Sequence, residues 1–314
     1  MTRIACLSGF QDTPVHFVAA TDRSLAAVSL RLAETLGGSF EPHPSLRVHG
    51  GCINDSFRWE GSNGPLFVKV AGAADLPMLE AEAEGLRELD AGNAIRVPTV
   101  LASGAVGNGA FLALEWVQLS RASADEQALL GAQLAHQHRV LAARFGWHRA
   151  NTIGSTEQVN TWTEDWLPFF REHRLRFQLE LAQTNGYGGR LQESGARLLQ
   201  RLDVLLGDHR PAPSLLHGDL WGGNVGADPS GAPVIFDPAV YFGDREADLA
   251  MTRLFGGFRR EFYEAYEKAW PLPASAAQRV DLYNLYHVLN HLNLFGASYL
   301  QQAQAIIDGL IARL

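Results

Sequence analysis

The sequence predicts an α+β chain in two lobes, a small β-rich lobe over residues 1–117 and a larger, mainly helical lobe over 118–314. Two observations carry this. Up to about residue 117, apolar residues alternate with period two between Gly- and Asn-bearing turns. Beyond about residue 121 they recur at helical spacing, apart from one stretch at 213–245. A β-rich lobe followed by a helical one leaves a cleft between them, a common place for a ligand.

Taken in order, residues 1–22 show little periodicity and read as an extension. SLAAVSLRLAETL at 24–36 has the apolar spacing of a helix. LRVHGG, INDSFRWE and PLFVKV at 46–70 alternate like strands, with turns at Gly50-Gly51 and Ser62-Asn63-Gly64. A helix is expected over 75–90, then strands in VPTVLAS (97–103) and AFLALEWV (110–117). Helices are expected at 123–145, 162–184, 189–206, 245–255, 258–270 and 276–313.

Composition narrows the function. Of 314 residues, 46% are hydrophobic and 19% charged, which supports a sizeable core and excludes a disordered chain. A formal net charge of -8 argues against nucleic acid as the main partner, since binding phosphate backbones needs a Lys/Arg surplus. No apolar run approaches the ~20 residues that span a bilayer, and the N-terminus lacks a secretory leader pattern. The expected setting is therefore cytoplasmic, without a membrane partner. The two cysteines, Cys6 and Cys52, suit a reducing compartment better than a disulfide framework.

The most informative run is His217-Gly218-Asp219-Leu220-Trp221-Gly222-Gly223-Asn224, delivered by the apolar strand 214–216. Thirteen residues past Asn224, a second apolar strand ends in Asp237. Phosphoryl transfer to an alcohol needs a carboxylate to orient the hydroxyl and accept its proton. It needs hard oxygen ligands for Mg²⁺ and a cation for the nucleotide phosphates. Asp219 fits the first role, and Asn224 and Asp237 fit the second. The five-residue step from Asp219 to Asn224 equals that of the protein-kinase catalytic loop. Each residue singly suits an ordinary turn, but the ordered set does not. His217 reads as a brace of the loop.

Lys69 lies inside the apolar strand Phe67-Val68-Lys69-Val70, where an ammonium is costly unless it meets an anion. Its expected partners are ATP phosphates and a glutamate of the next helix. Helical periodicity puts Glu82 on the face of Leu79, Leu86 and Leu89, and puts Glu80 and Glu84 on a solvated face with Arg87. The alternative is an edge lysine pointing to solvent. The turn Gly50-Gly51-Cys52-Ile53-Asn54, between two strands and ahead of Lys69, is placed to fold over phosphates, or is a plain hairpin. Glu115 and Val117 stand where backbone groups of a hinge would meet adenine.

The combination GGCINDSF, FVKV, HGDLWGGN, DPAVYFGDREADLAM, LFGGF and LNHLNLFG resembles the fructosamine kinase (ketosamine-3-kinase) family over about 24–300. NTIGSTEQVNTW and REHRLRFQLELA fit it as well. The resemblance implies a two-lobed protein-kinase-like fold and use of ATP with Mg²⁺. It implies phosphorylation of the 3-hydroxyl of ketosamines, free or protein-bound. The unstable product releases the amine, a deglycation repair. Lys69, Glu82, Asp219, Asn224 and Asp237 take the roles argued above, and residues 1–22 precede where such chains usually begin.

Further residues are candidates for reading the substrate. Trp221, two positions after Asp219, offers an indole for a sugar face or a cationic amine, unless it is a core tryptophan. His291 and Asn293, in an otherwise apolar helix, either are buried and satisfied or point into the cleft. Asp248 is expected to brace the catalytic loop through backbone N–H groups, and Asp244, Arg245 and Glu246 to have surface or ion-pair roles. Cys52 in the Gly-rich turn is either inert or a low-pKa thiol able to link two chains, making the protein a monomer or a redox-linked dimer. Two rival functions remain: a phosphotransferase for aminoglycosides, choline or homoserine, and a binding module that has lost its chemistry. Residues 276–314 carry only Asp281 and Asp308 as acids, which disfavours a polycationic antibiotic. Lysine and both aspartates are present, which disfavours the module.

Overall fold

A computed structural model describes residues 22–48 and 55–314. Helix α1 (Asp22–Leu36) precedes a five-stranded antiparallel sheet. Its strands are β1 (Leu46–Val48), β2 (Asp55–Trp59), β3 (Leu66–Gly72), β4 (Val100–Val106) and β5 (Gly109–Glu115), in the order β1-β2-β3-β5-β4. Helix α2 (Leu76–Ala91) connects β3 to β4.

Strand periodicity decides what each face of the sheet meets. Val68 and Val70 of β3, with Phe111 and Ala113 of β5, pack with Leu25, Val28 and Leu32 of α1. The opposite parity, Ala110, Leu112 and Leu114, packs with Leu79, Leu86 and Leu89 of α2, in a core continuous with the helical lobe. Lys69 belongs to this second parity and pairs across the sheet with Leu112. The chain alternation thus points a lysine towards α2 and the cleft.

The second lobe contains α3 (Ala124–Gln137), the hairpin β6 (Asn151–Ile153) and β7 (Thr156–Gln158), and α4 (Trp166–Phe170). A π-helical turn, Arg171–Arg176, leads into α5 (Phe177–Thr184), followed by α6 (Arg190–Leu199) and α7 (Leu202–Leu206). Four short strands then carry the loops of interest: β8 (Ser214–Leu216), β9 (Val225–Ala227), β10 (Pro233–Ile235) and β11 (Tyr241–Gly243). Helices α8 (Arg245–Leu254), α9 (Arg260–Ala269), α10 (Ala276–Phe295) and α11 (Leu300–Ile311) complete the chain. Among the described residues no helix is long and apolar enough to cross a membrane.

Several expected helices are shorter or divided: the one over 162–184 starts at Trp166 and contains the π-helical turn, and the one over 189–206 divides into α6 and α7. The helix expected over 123–145 ends at Gln137, because the following backbone pairs with β8: Leu215 N donates to Val140 O at 2.9 Å and Ala142 N to Pro213 O at 3.0 Å. The segment 276–313 divides at Gly296, whose φ of +88° a right-handed helix cannot hold. The β6–β7 hairpin has no counterpart in the expected helical lobe.

Candidate active site

Strands β8 and β11 pair antiparallel with Leu216 opposite Tyr241, and β9 pairs with β10 with Val225 opposite Ile235. The loops 217–224 and 236–240 therefore leave neighbouring strands side by side. Ala239 N donates to His217 O at 2.8 Å, and Phe236 N to Asn224 O at 3.1 Å. His217, fully buried, donates from Nε2 to Phe236 O at 3.0 Å and accepts Asp219 N at Nδ1, 3.2 Å. A carbonyl can only accept and an amide only donate, so this imidazole is neutral; burial also holds its pKa below the ordinary value.

Asp248, in the first turn of α8, closes the loop from below. Its two carboxylate oxygens accept His217 N at 2.8 Å and Gly218 N at 2.9 Å. His138 adds a bond at 3.2 Å. Burial opposes this charge, but the hydrogen bond and charge of His138, and the bond from Gly218 N, hold the carboxyl below its usual range. Gly218 needs to be glycine twice over: its φ is +82°, and a Cβ would sit 1.9 Å from Ala239 O. Asp244, Arg245 and Glu246 are tied into structure. Asp244 and Glu246 are buried, not at the surface, and bind His209 with Tyr283 and Arg279 respectively.

This bracing brings the expected polar residues together. Asn224 Nδ2 donates to Asp219 O at 2.9 Å and to Asp219 Oδ2 at 3.3 Å. Asp237 adopts φ +56°, a left-handed conformation that short polar side chains tolerate at some cost. Its Oδ1 meets Lys69 Nζ at 2.8 Å, and the same ammonium meets Glu82 at 2.7 and 2.9 Å. Burial works against the lysine's charge, but the combined pull of Asp237 and Glu82 outweighs it, and the pKa lies above its usual value. Asp219 behaves oppositely. Burial, then the nearby charge of Asp237, push its pKa up to about 7, against the hydrogen bond from Asn224.

Glu84 corrects the expectation of a solvated face. Its carboxylate spans to the helical lobe, meeting Arg149 Nη1 at 2.7 Å and His148 Nε2 at 2.8 Å. Arg149 also donates to Pro77 O at 3.2 Å, at the start of α2. This clamp holds the helix that carries Glu82, and no local pattern announces it because 65 residues separate the partners. Removing it with Arg149→Ala is expected to lower kcat about two- to five-fold, the scale of a partly exposed ion pair. The same substitution in a Glu82→Gln background should lower kcat no further, because both act through Lys69. Steady-state kinetics of the four combinations check this.

Other expected residues divide. His291 donates from Nδ1 to His287 O at 2.8 Å, and its ring lies 4.8 Å from that of Phe255, which in turn is 6.3 Å from Trp221. Trp221 is half-buried at this surface and is not a core tryptophan. Asn293 does not join them. Two residues along a helix point about 200° apart, and Asn293 Nδ2 bonds Gln178 at 2.7 and 3.0 Å while its Oδ1 accepts Asn185 Nδ2 at 3.1 Å. It fastens α10 to α5. Of the two residues expected at a hinge, Glu115 has its N–H committed within the fold, donating to Thr99 O at 2.9 Å, and Val117 lies two residues past β5. The Glu115 side chain binds Arg96, which also binds Asp228 of the β9–β10 turn and so links the lobes. Gly50, Gly51, Cys52 and Asn54 lie outside the described residues, and with them the phosphate loop and the Cys52-linked dimer.

The fructosamine kinase family profile matches residues 24–313. The chain belongs to the fructosamine kinase family. It is therefore an ATP-dependent phosphotransferase. A protein of Synechocystis sp. named a probable ketoamine kinase is 43% identical over 281 residues, covering 89% of this chain and 94% of that one. A chloroplastic protein of Oryza sativa subsp. indica, named protein-ribulosamine 3-kinase, is 40% identical over 85% of this chain and 78% of its own. Among solved structures, a Haemophilus somnus protein assigned as a fructosamine-3-kinase superposes with a TM-score of 0.83 at 28% identity, over 90% of this chain and 96% of that one. The two-lobed protein-kinase-like fold of this fructosamine kinase family member follows from the same comparison and from the sheet and helices above.

Proposed function

We propose that this kinase transfers the γ-phosphoryl group of ATP to the 3-hydroxyl of ketosamines, with Asp219 as the base. The observation that carries the reading is the convergence of Lys69, Glu82 and Asp237 at 2.7–2.9 Å with Asp219 and Asn224 at 3.3 Å, the two sets joined by Asn224 Nδ2 to Asp237 O at 3.5 Å. Asp219 orients the sugar hydroxyl and takes its proton as the oxygen attacks phosphorus; ADP leaves. Lys69, held by Glu82, offers its charge to the nucleotide phosphates. The residues present also suit Mg²⁺. Asn224 turns its amide nitrogen to Asp219, and among the described residues its Oδ1 and the Asp237 Oδ2 have no hydrogen-bond partner, so a carboxamide and a carboxylate oxygen can meet a hard cation. When bound, the ion would neutralise charge on the transferring phosphates.

The test is ADP release with Mg²⁺-ATP across synthetic ribulosamines, erythrulosamines and fructosamines, with aminoglycosides, choline and homoserine as controls. Turnover confined to ketosamines is expected; turnover confined to a control sinks the reading. The ketosamines differ by one or two carbons, so preferences among them of about 1–3 kcal/mol are expected. Trp221→Ala is expected to raise KM for a ketosamine about ten-fold, the loss of a stacked indole, and to move KM for ATP far less. Equal effects on both would remove Trp221 from substrate binding.

A further inference from the structure

Among the described residues, the large apolar side chains left exposed are scattered aliphatics, Leu30, Leu46, Leu129, Leu141 and Val204, and two aromatics, Phe255 at 38% and Phe295 at 41%. The two aromatics are not scattered. Both rings touch His291, at 4.8 and 5.3 Å between centroids, and Tyr299 touches His291 at 5.1 Å and Phe295 at 6.4 Å. Phe255 continues the series to Trp221 at 6.3 Å. The series therefore starts two residues from Asp219 and runs outward over the ends of α8 and α10.

The local backbone is built to bring these rings together. The Trp221 ring lies so close over Gly223 that a Cβ there would be 2.2–2.6 Å from it. After Phe255, Gly257 approaches Gly222 so closely that a Cβ on either would fall 3.0–3.2 Å from the other's Cα. Exposed clustered aromatics do not repay their hydration in the fold itself, and such patches mark binding surfaces. The imidazole in the middle adds chemistry. Its Nδ1–H is spent on the His287 carbonyl, which leaves Nε2 as the ring nitrogen for a ligand, an acceptor when the imidazole is neutral. Burial disfavours its protonation.

We propose that this aromatic strip is the subsite for the amine side of the ketosamine, binding its secondary ammonium by cation–π contact with Phe255 and Phe295 and by the Nε2 lone pair of His291. Aromatic faces and a neutral imidazole acceptor both favour a cation and offer nothing to an anion. An overall charge of -8 favours the same ligand. Among the described residues Phe255 and Phe295 are exposed, so the strip admits amines of different size beyond the nitrogen. The inference rests on the ketosamine reading of the preceding section.

The test compares a 1-alkylamino-1-deoxyfructose with the matching 1-O-alkyl fructose, equal in size but lacking the cation. The ratio of kcat/KM, amine over ether, is measured for wild type, Phe255→Ala, Phe295→Ala and Phe255→Leu. Wild type should prefer the amine. Each alanine should lower the ratio about two- to five-fold, the range for a partly exposed cation–π contact. Phe255→Leu should lower it equally, because leucine restores apolar area without the ring quadrupole. A ratio unchanged in the alanine variants, or restored by leucine, overturns the subsite while turnover of the amine keeps the ketosamine reading intact. Turnover of neither probe by wild type overturns that reading and the subsite with it.

Discussion

Asp219→Asn is expected to lower kcat about 10²–10⁴-fold, the scale of a lost general base, while binding of ATP changes little. The asparagine can still hydrogen-bond the substrate hydroxyl but cannot take its proton. A second effect has the opposite sign. The folded pKa of Asp219, about 7, lies above the ordinary aspartate value, because burial and Asp237 disfavour its charge. A raised acid pKa means that the unfolded chain ionises first, so the folded state loses stability as pH rises from about 4 to about 7. Asn removes that cost, and the nucleotide-free variant should be more stable than wild type at pH 8 by about 1–3 kcal/mol. Thermal melts at pH 5 and pH 8 check this: the gain should appear at pH 8 and shrink towards pH 5. In wild type, kcat/KM should fall as pH drops below about 7, and a bound cation beside Asp219 moves that limb to lower pH. A variant with wild-type turnover would end the assignment of Asp219 as base.

Lys69→Met is the second large effect, and here activity and stability fall together. The ammonium is the counter-charge of two carboxylates at 2.7–2.9 Å, and the side chains of Lys69 and Glu82 are 9% and 12% exposed. Removing one partner of a buried pair leaves a buried charge uncompensated, at about 3–5 kcal/mol; Asp237, 37% exposed, contributes less. Part of the loss is relieved when Glu82 takes a proton. Lys69→Met is therefore expected to melt several degrees lower at pH 8 and to recover partly as the pH falls and the orphaned carboxylate, its pKa already raised by burial, takes up a proton. ATP turnover should drop about 10²-fold or more, as for a lost electrostatic contact to transferring phosphates. The double variant Lys69→Met/Glu82→Gln separates the two effects: it should regain stability without regaining turnover. If the double variant is as unstable as the single, the buried-charge account is wrong.

Much of the site was legible because its residues are locally ordered. The Asp219–Asn224 spacing is fixed by one loop, and the parity of Lys69 in β3 follows from strand alternation alone. Glu82 was separable from Glu80 because a helix turns by a constant angle and the leucines of α2 mark its buried side. Helix ends were less legible. α3 stops at Gln137 without a Gly or Pro to stop it, since what ends it is pairing with β8, more than 70 residues along the chain.

By itself, the sequence determined the two-lobed α+β order, the lysine, the acids and the loop that carries them, since each depends on periodicity or spacing within a few residues. Only the tertiary structure decided that Glu84 clamps α2 to His148 and Arg149, that Asn293 is spent on Gln178 while His291 joins an aromatic strip, and that Glu115 has already committed its amide. Those outcomes turn on which distant side chain the fold brings within hydrogen-bonding distance. A polar group that is satisfied within the fold is no longer available to a ligand, and local spacing carries no record of that competition.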